Sequence, residues 1–222
     1  MSVMTPVRTP GEQALLDRLA TRPPAAADAA RTAILASGLP TRRVEAFKWS
    51  DLRAALADGL PDPKGEVPSL PQALRALDPL VLTFRADGIG VEGEPPKGVE
   101  ISVENGAGTG ADGLAAALAG ALAPKTLLMT VTGAADSRPV VLLRGPGAPL
   151  RLACEVKAGG TLTLVEIAGA EGGLSTALIE AQVDSGGTLT RISLQSGGSD
   201  AIDLVHASVT LAPGGAYRAA GL

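Results

Sequence analysis

From residue 139 onward, apolar and polar positions recur in a fixed frame around a Gly-Gly pair. The three copies are Val156-Lys157-Ala158-Gly159-Gly160-Thr161-Leu162-Thr163, Val183-Asp184-Ser185-Gly186-Gly187-Thr188-Leu189-Thr190 and Leu211-Ala212-Pro213-Gly214-Gly215-Ala216-Tyr217-Arg218. Their first glycines stand 27 and then 28 residues apart. Short runs of Thr, Val, Leu and Ile fill the intervals, which is strand composition. A period of this length predicts a solenoid, in which each unit buries its apolar face only against its neighbours. At an offset of 27, Thr163, Val165 and Ile167 fall on Thr190, Ile192 and Leu194, while Leu164 and Glu166 fall on Arg191 and Ser193. Strand side chains alternate faces. The first column is therefore expected to face inward, and the second, with Glu166, outward into solvent. At an offset of 28 the third copy sets Leu222 under Leu194 but Arg218 under Thr190, so its turn is less regular. The expected fold is mainly β, a parallel β-helix-like core behind a small helical region. An antiparallel sandwich with chance spacing is the alternative.

Upstream, the pattern predicts helices over 11–20 and 25–37, the second stopped by Gly38 and Pro40. A third is expected over 44–56, then a Pro/Asp/Gly linker over 59–71 and a turn or two of helix at 72–77. Strands are expected at 81–85, 99–103 and 126–132, with a small Ala/Leu helix over 111–123. The chain thus divides into a helical region (1–58), a linker (59–78), a mixed entry segment (79–138) and the β-helix core (139–222).

Composition narrows the function classes. Of 222 residues only Phe47, Trp49, Phe84 and Tyr217 are aromatic, so the core must be built from Ala, Val, Leu and Ile. A net charge of −4 without a basic run lacks the footprint of a nucleic-acid binder. The single cysteine, Cys154, excludes an internal disulfide framework and any zinc site of several cysteines. The start has no signal-peptide apolar core, and the longest apolar run, 114–123, is too short to span a bilayer. The expectation is a cytoplasmic protein without membrane contact.

The stretch Gly38-Leu39-Pro40-Thr41-Arg42-Arg43-Val44-Glu45-Ala46-Phe47-Lys48-Trp49-Ser50-Asp51-Leu52 resembles the N-terminal signature of the SufB/SufD family, in its SufD branch. Phe47 and Trp49 stand where the family has Trp and Tyr. The run Leu162–Glu166, the pair Leu194-Gln195 and the helix at 114–123 leading into an apolar strand resemble the same family. The resemblance implies a non-catalytic scaffold subunit in iron–sulfur cluster assembly, partnered by a SufB-like sister subunit and an ABC-type ATPase that hydrolyses the ATP. No cofactor is expected in this chain itself, since the nascent cluster belongs to the complex. Family members run on past residue 222 through more β-helix and a helical domain, where cluster ligands and docking surfaces lie. The chain is therefore expected to be C-terminally truncated, with an open strand edge that self-associates. Ala168 stands where the SufB branch carries its sulfur-accepting cysteine, which favours the SufD branch.

Three local features offer other chemistry. Gly108-Thr109-Gly110-Ala111-Asp112-Gly113 is a literal G-x-G-x-x-G ahead of a helix, the pattern that seats a pyrophosphate in dinucleotide-binding folds. The acids in the preceding strand and Asp112 beside the phosphates argue against it. Cys154 could be a nucleophile or iron ligand, with Arg151 or Lys157 lowering its pKa, or a small core residue. His206 could be a ligand or base, and two coils would bring it to the same side of the solenoid as Cys154. The pair would define a stand-alone β-helix enzyme. A sugar-active enzyme would need a groove with several acids and aromatic platforms, and a hexapeptide acyltransferase a six-residue repeat; neither pattern is present.

Overall fold

The computed structural model describes residues 7–105, 113–133 and 137–222. It is mainly β, with N-terminal helices and a parallel β-solenoid of about three turns. Two facing walls make up the solenoid. Wall A stacks β1 (Leu80–Phe84), β5 (Val140–Arg144), the first half of β7 (Thr161–Val183), the first half of β8 (Thr188–Leu211) and β9 (Ala216–Gly221), all parallel. Wall B stacks β4 (Lys125–Val131), β6 (Pro149–Val156) and the second halves of β7 and β8, again parallel. Parallel rungs decide against the antiparallel sandwich. They also show that coiling starts before residue 139, since β1 and β4 already serve as rungs. Two antiparallel strands close the N-terminal end: β2 (Ile89–Glu92) on β1 and β3 (Val99–Asn105) on β4.

The expected register holds in the first half of each coil. Thr163, Val165 and Ile167 pair with Thr190, Ile192 and Leu194, and Thr190 pairs with Arg218. A bulge between Ala170 and Gly172 then shifts the offset by one residue for wall B, where Ala181 pairs with Val209.

The facing of the columns is the reverse of the expectation. Leu162 and Leu164 lie in the core between the walls, with Leu82, Leu142, Leu152, Cys154 and Ile179, and Glu166 shares their side of the strand. Val165 and Ile167 sit on the outside of wall A, in a separate cluster with Val81, Val141 and Leu143. That cluster is not solvated, because Val67, Leu70 and Leu74 of the preceding segment pack over it. The run Leu162–Ile167 is apolar on both faces because both are covered, so alternation alone could not choose between them.

The Gly-Gly turns divide their work between the two glycines. Gly159, Gly186 and Gly214 have φ of +69°, +71° and +78°, which a side chain disfavours. The second glycine is needed for room: a Cβ on Gly160 would lie 2.8 Å from the Lys157 carbonyl oxygen and 3.0 Å from that of Val131. Gly159→Ala is expected to lower stability by about 1–2 kcal/mol, and Gly160→Ala by about 1–3 kcal/mol. Urea melts of the two variants check this, and unchanged midpoints would refute it.

Helices cover the outside of wall B. The helix α1 (Pro10–Ala20) is capped by Thr9, whose hydroxyl accepts from the Glu12 amide at 3.2 Å while Glu12 reaches back to the Thr9 amide. It packs with α2 (Pro24–Ser37), and Leu15, Leu19, Ala30 and Ile34 share one apolar cluster with Leu174 and Leu204 of the wall. The expected single helix over 44–56 is instead a 3₁₀ turn (Glu45–Phe47) and the short α3 (Leu52–Ala55). Asp51 divides them, its carboxylate accepting from the Ala54 amide at 2.9 Å as the cap of α3. A further short helix, α4 (Gln72–Arg75), ends the segment over wall A. Between β3 and β4 runs α5 (Leu114–Leu122), whose Ala116 and Ala119 pack on Leu178. Among the described residues no helix is long and apolar enough to cross a membrane.

Candidate functional site

The solenoid interior changes character along its axis. In the early coils it is Leu, Val and Phe; in the later ones the same columns carry charge. Below Leu142 comes Glu166, then Ser193; below Leu164 comes Arg191. Arg144 ends β5, opposite Ala168. The side chains of Arg144 and Glu166 are fully buried, and those of Arg191 and Asp203 are 12% and 25% exposed.

These groups form one network. Arg144 donates through Nε and Nη2 to Oε1 of Glu166, at 3.2 and 3.0 Å. It also donates through Nη1 and Nη2 to the two oxygens of Asp203, the latter at 2.6 Å, giving a forked pair. Arg191 holds the other Glu166 oxygen, and Gln195 donates to Asp203 at 2.8 Å. Burial opposes the Arg144 charge, but hydrogen bonds and charge from Asp203 and Glu166 outweigh it and raise its pKa above the ordinary value. Arg191 behaves alike: burial opposes its charge, and Glu166 with Tyr217 raises its pKa. Two cations and two carboxylates leave the cluster neutral. It ties three successive coils to one another and wall A to wall B, since Asp203 comes from the opposite wall.

A cavity of about 270 Å³ opens beside the network, where the chain turns from wall A to wall B. Arg144, Asp203 and Gln195 line it with Ser175 and Ala168, under the glycine-rich corner that contains Gly197. It offers hydrogen bonds to a small polar molecule. None of its lining residues is a histidine or cysteine. Ala168, the position at which the family resemblance compares the branches, is thus a cavity residue. A second groove, of about 480 Å³, lies between the segment around Phe47 and Asp51 and the β8 residues Asp203 to His206.

The structure does not bring Cys154 and His206 together. They lie on the same wall but on opposite faces. Cys154 points into the core with Ala181 and Val209 below it, whereas His206 pairs with Leu178, which packs outward on α5. Nor do cations activate the thiol. Arg151 bonds to Glu180 at 3.2 Å and Lys157 pairs with Glu155. Burial, with the nearby Glu155 charge, pushes the Cys154 thiol up to about 12. Cys154 is a small core residue. Gly108 and Gly110 of the glycine-rich motif lie outside the described residues. Gly113 precedes α5 with φ of +99°. The strands on either side of α5 pair antiparallel, whereas a dinucleotide-binding βαβ unit needs them parallel. Among the described residues no group of three or more His, Cys, Asp or Glu could hold a metal.

Sequence reading missed Arg144 and Asp203 altogether and placed Glu166 and Arg191 in the column facing solvent. A usable signal was present: Arg144 closes the apolar run Val140–Leu143, and Glu166 interrupts Leu162–Ile167 one coil later. Neither protein-family models nor curated proteins provide a match for this chain.

Proposed function

We propose that the chain is a non-catalytic scaffold subunit of the SufD type, acting in iron–sulfur cluster assembly beside a SufB-like subunit and an ABC-type ATPase. The observation that carries this reading is the segment Gly38–Leu52 placed before a parallel β-solenoid. Its residues have specific work in the fold. Gly38 takes a φ of +71° where a Cβ would lie 2.7 Å from Glu12 Oε1. That buried carboxylate accepts from the Leu39 amide at 2.8 Å and pairs with Arg53 at 3.1 Å. The motif thereby welds the helical region to the start of α3, and Leu39 and Leu52 complete the apolar layer on wall B.

A scaffold role also suits the interior chemistry. Its one thiol is buried and held protonated, and its buried carboxylates are engaged by guanidinium groups. The iron and sulfide of a nascent cluster would be cargo of the assembled complex, as would the ATP hydrolysed by its partner. The test is a pull-down of this chain with the SufB-like and ATPase-like proteins of the same source. Retention of either partner is the expected result. A chain that is folded by circular dichroism yet retains neither would overturn the reading.

A further inference from the structure

The loop joining α2 to α3 carries two kinds of residue. Its ends serve the fold, through Gly38, Leu39, Asp51 and Leu52. Its middle does not: Arg42, Arg43, Val44 and Lys48 are exposed, and Trp49 is 88% exposed. This is the chain's only tryptophan, in a protein with four aromatic residues. Burying an indole on wall B would contribute far more to a core this poor in aromatic groups than leaving it in water. The indole has one charged neighbour. Lys48 Nζ lies 2.8 Å from Glu45 Oε1 and 5.7 Å from the centre of the Trp49 ring. Glu45 is thereby matched by Lys48, and Arg42 and Arg43 give the loop a local surplus of positive charge on a chain whose net charge is −4.

We propose that this loop is a docking surface for an acidic protein segment, which sets an apolar side chain against Trp49 and carboxylates against Arg42 and Arg43. Tryptophan and arginine are the side chains on which interface energy concentrates. Charge complementarity selects the sign of the partner and orients it. The groove of about 480 Å³ next to it, with Phe47, Leu52 and Leu204 in its lining, has room for a second apolar side chain. An anionic membrane fits less well. Such surfaces call for clusters of about 4–8 Lys or Arg, and this loop has three, Arg42, Arg43 and Lys48, of which Lys48 is paired with Glu45. The proposal stands apart from the iron–sulfur reading and needs none of its partners.

Because Trp49 is the sole tryptophan, its fluorescence reports the site directly. The full chain is titrated with a short peptide in which glutamates flank a Leu-Phe pair, and with its lysine counterpart. Phosphatidylcholine–phosphatidylglycerol vesicles and a single-stranded oligothymidylate form two further arms. The expected result is a saturable blue shift with the acidic peptide alone. It should weaken by about 10-fold or more in the Arg42→Glu/Arg43→Glu variant, which keeps the probe and whose circular dichroism should match the parent. Equal response to both peptides, no response to the acidic one, or a response confined to vesicles or oligonucleotide would overturn the proposal. So would undiminished binding by the folded double variant.

Discussion

Arg144→Met is expected to destabilise the protein by about 3–5 kcal/mol, the usual cost of removing one partner of a buried ion pair. The reason is what it leaves behind. Glu166, with no exposure, would keep only Arg191, and Asp203 would keep only Gln195. At this chain length the loss corresponds to about 6–20 °C in Tm. Adding Asp203→Asn to Arg144→Met should restore a good part of the loss, because Asp203 is the carboxylate left without a cation, and an orphaned charge, rather than the missing attraction, carries most of the cost. Thermal melts of the single and double variants decide the matter. A single variant within about 2 °C of the parent, or a double variant no better than the single, would show that the network does not pin the coils.

The second large effect concerns Cys154. With its pKa pushed up to about 12 by burial and by Glu155, the native protein at pH 8 should react with iodoacetamide about a thousandfold more slowly than the chain unfolded in urea. Rates within tenfold of each other would contradict its burial in the interior. The same shift has a sign for stability. The unfolded thiol loses its proton from about pH 8.5 upward while the folded one keeps it, so above that pH the unfolded state binds fewer protons. Stability should therefore fall as pH rises from there towards 12, with a slope of at most about 1.4 kcal/mol per pH unit, and be indifferent to this group below. Cys154→Ala should remove that contribution.

The stacking register was legible because glycine marks it twice per coil, once for backbone conformation and once for space. Gly159 and Gly160 carry that information whatever surrounds them. The faces were not legible, because Val165 and Ile167 owe their burial to Val67, Leu70 and Leu74, nearly a hundred residues earlier in the chain. The network of Arg144, Glu166, Arg191 and Asp203 was hidden for a related reason. A charged residue in a strand reads as exposed unless its partner is known, and here the partners come from other coils and from the opposite wall. The bulge after Ala170 placed Asp203 opposite Ser175, a pairing that a constant offset of 27 does not give. The break of the third helix was closer to view, since Ser50-Asp51 is a ready cap.

The packing of the helical region has a consequence for the order in which the protein can be made. Leu15, Leu19, Ala30 and Ile34 leave the ribosome well before Leu118, Leu122, Leu174 and Leu204, which belong to the surface that receives them. Synthesis proceeds at about 5–20 residues per second. For many seconds the earliest segment therefore has little to settle on, while its apolar stripe stays open to other chains and to chaperones. Only as Leu174 and Leu204 emerge does the helical region find its place.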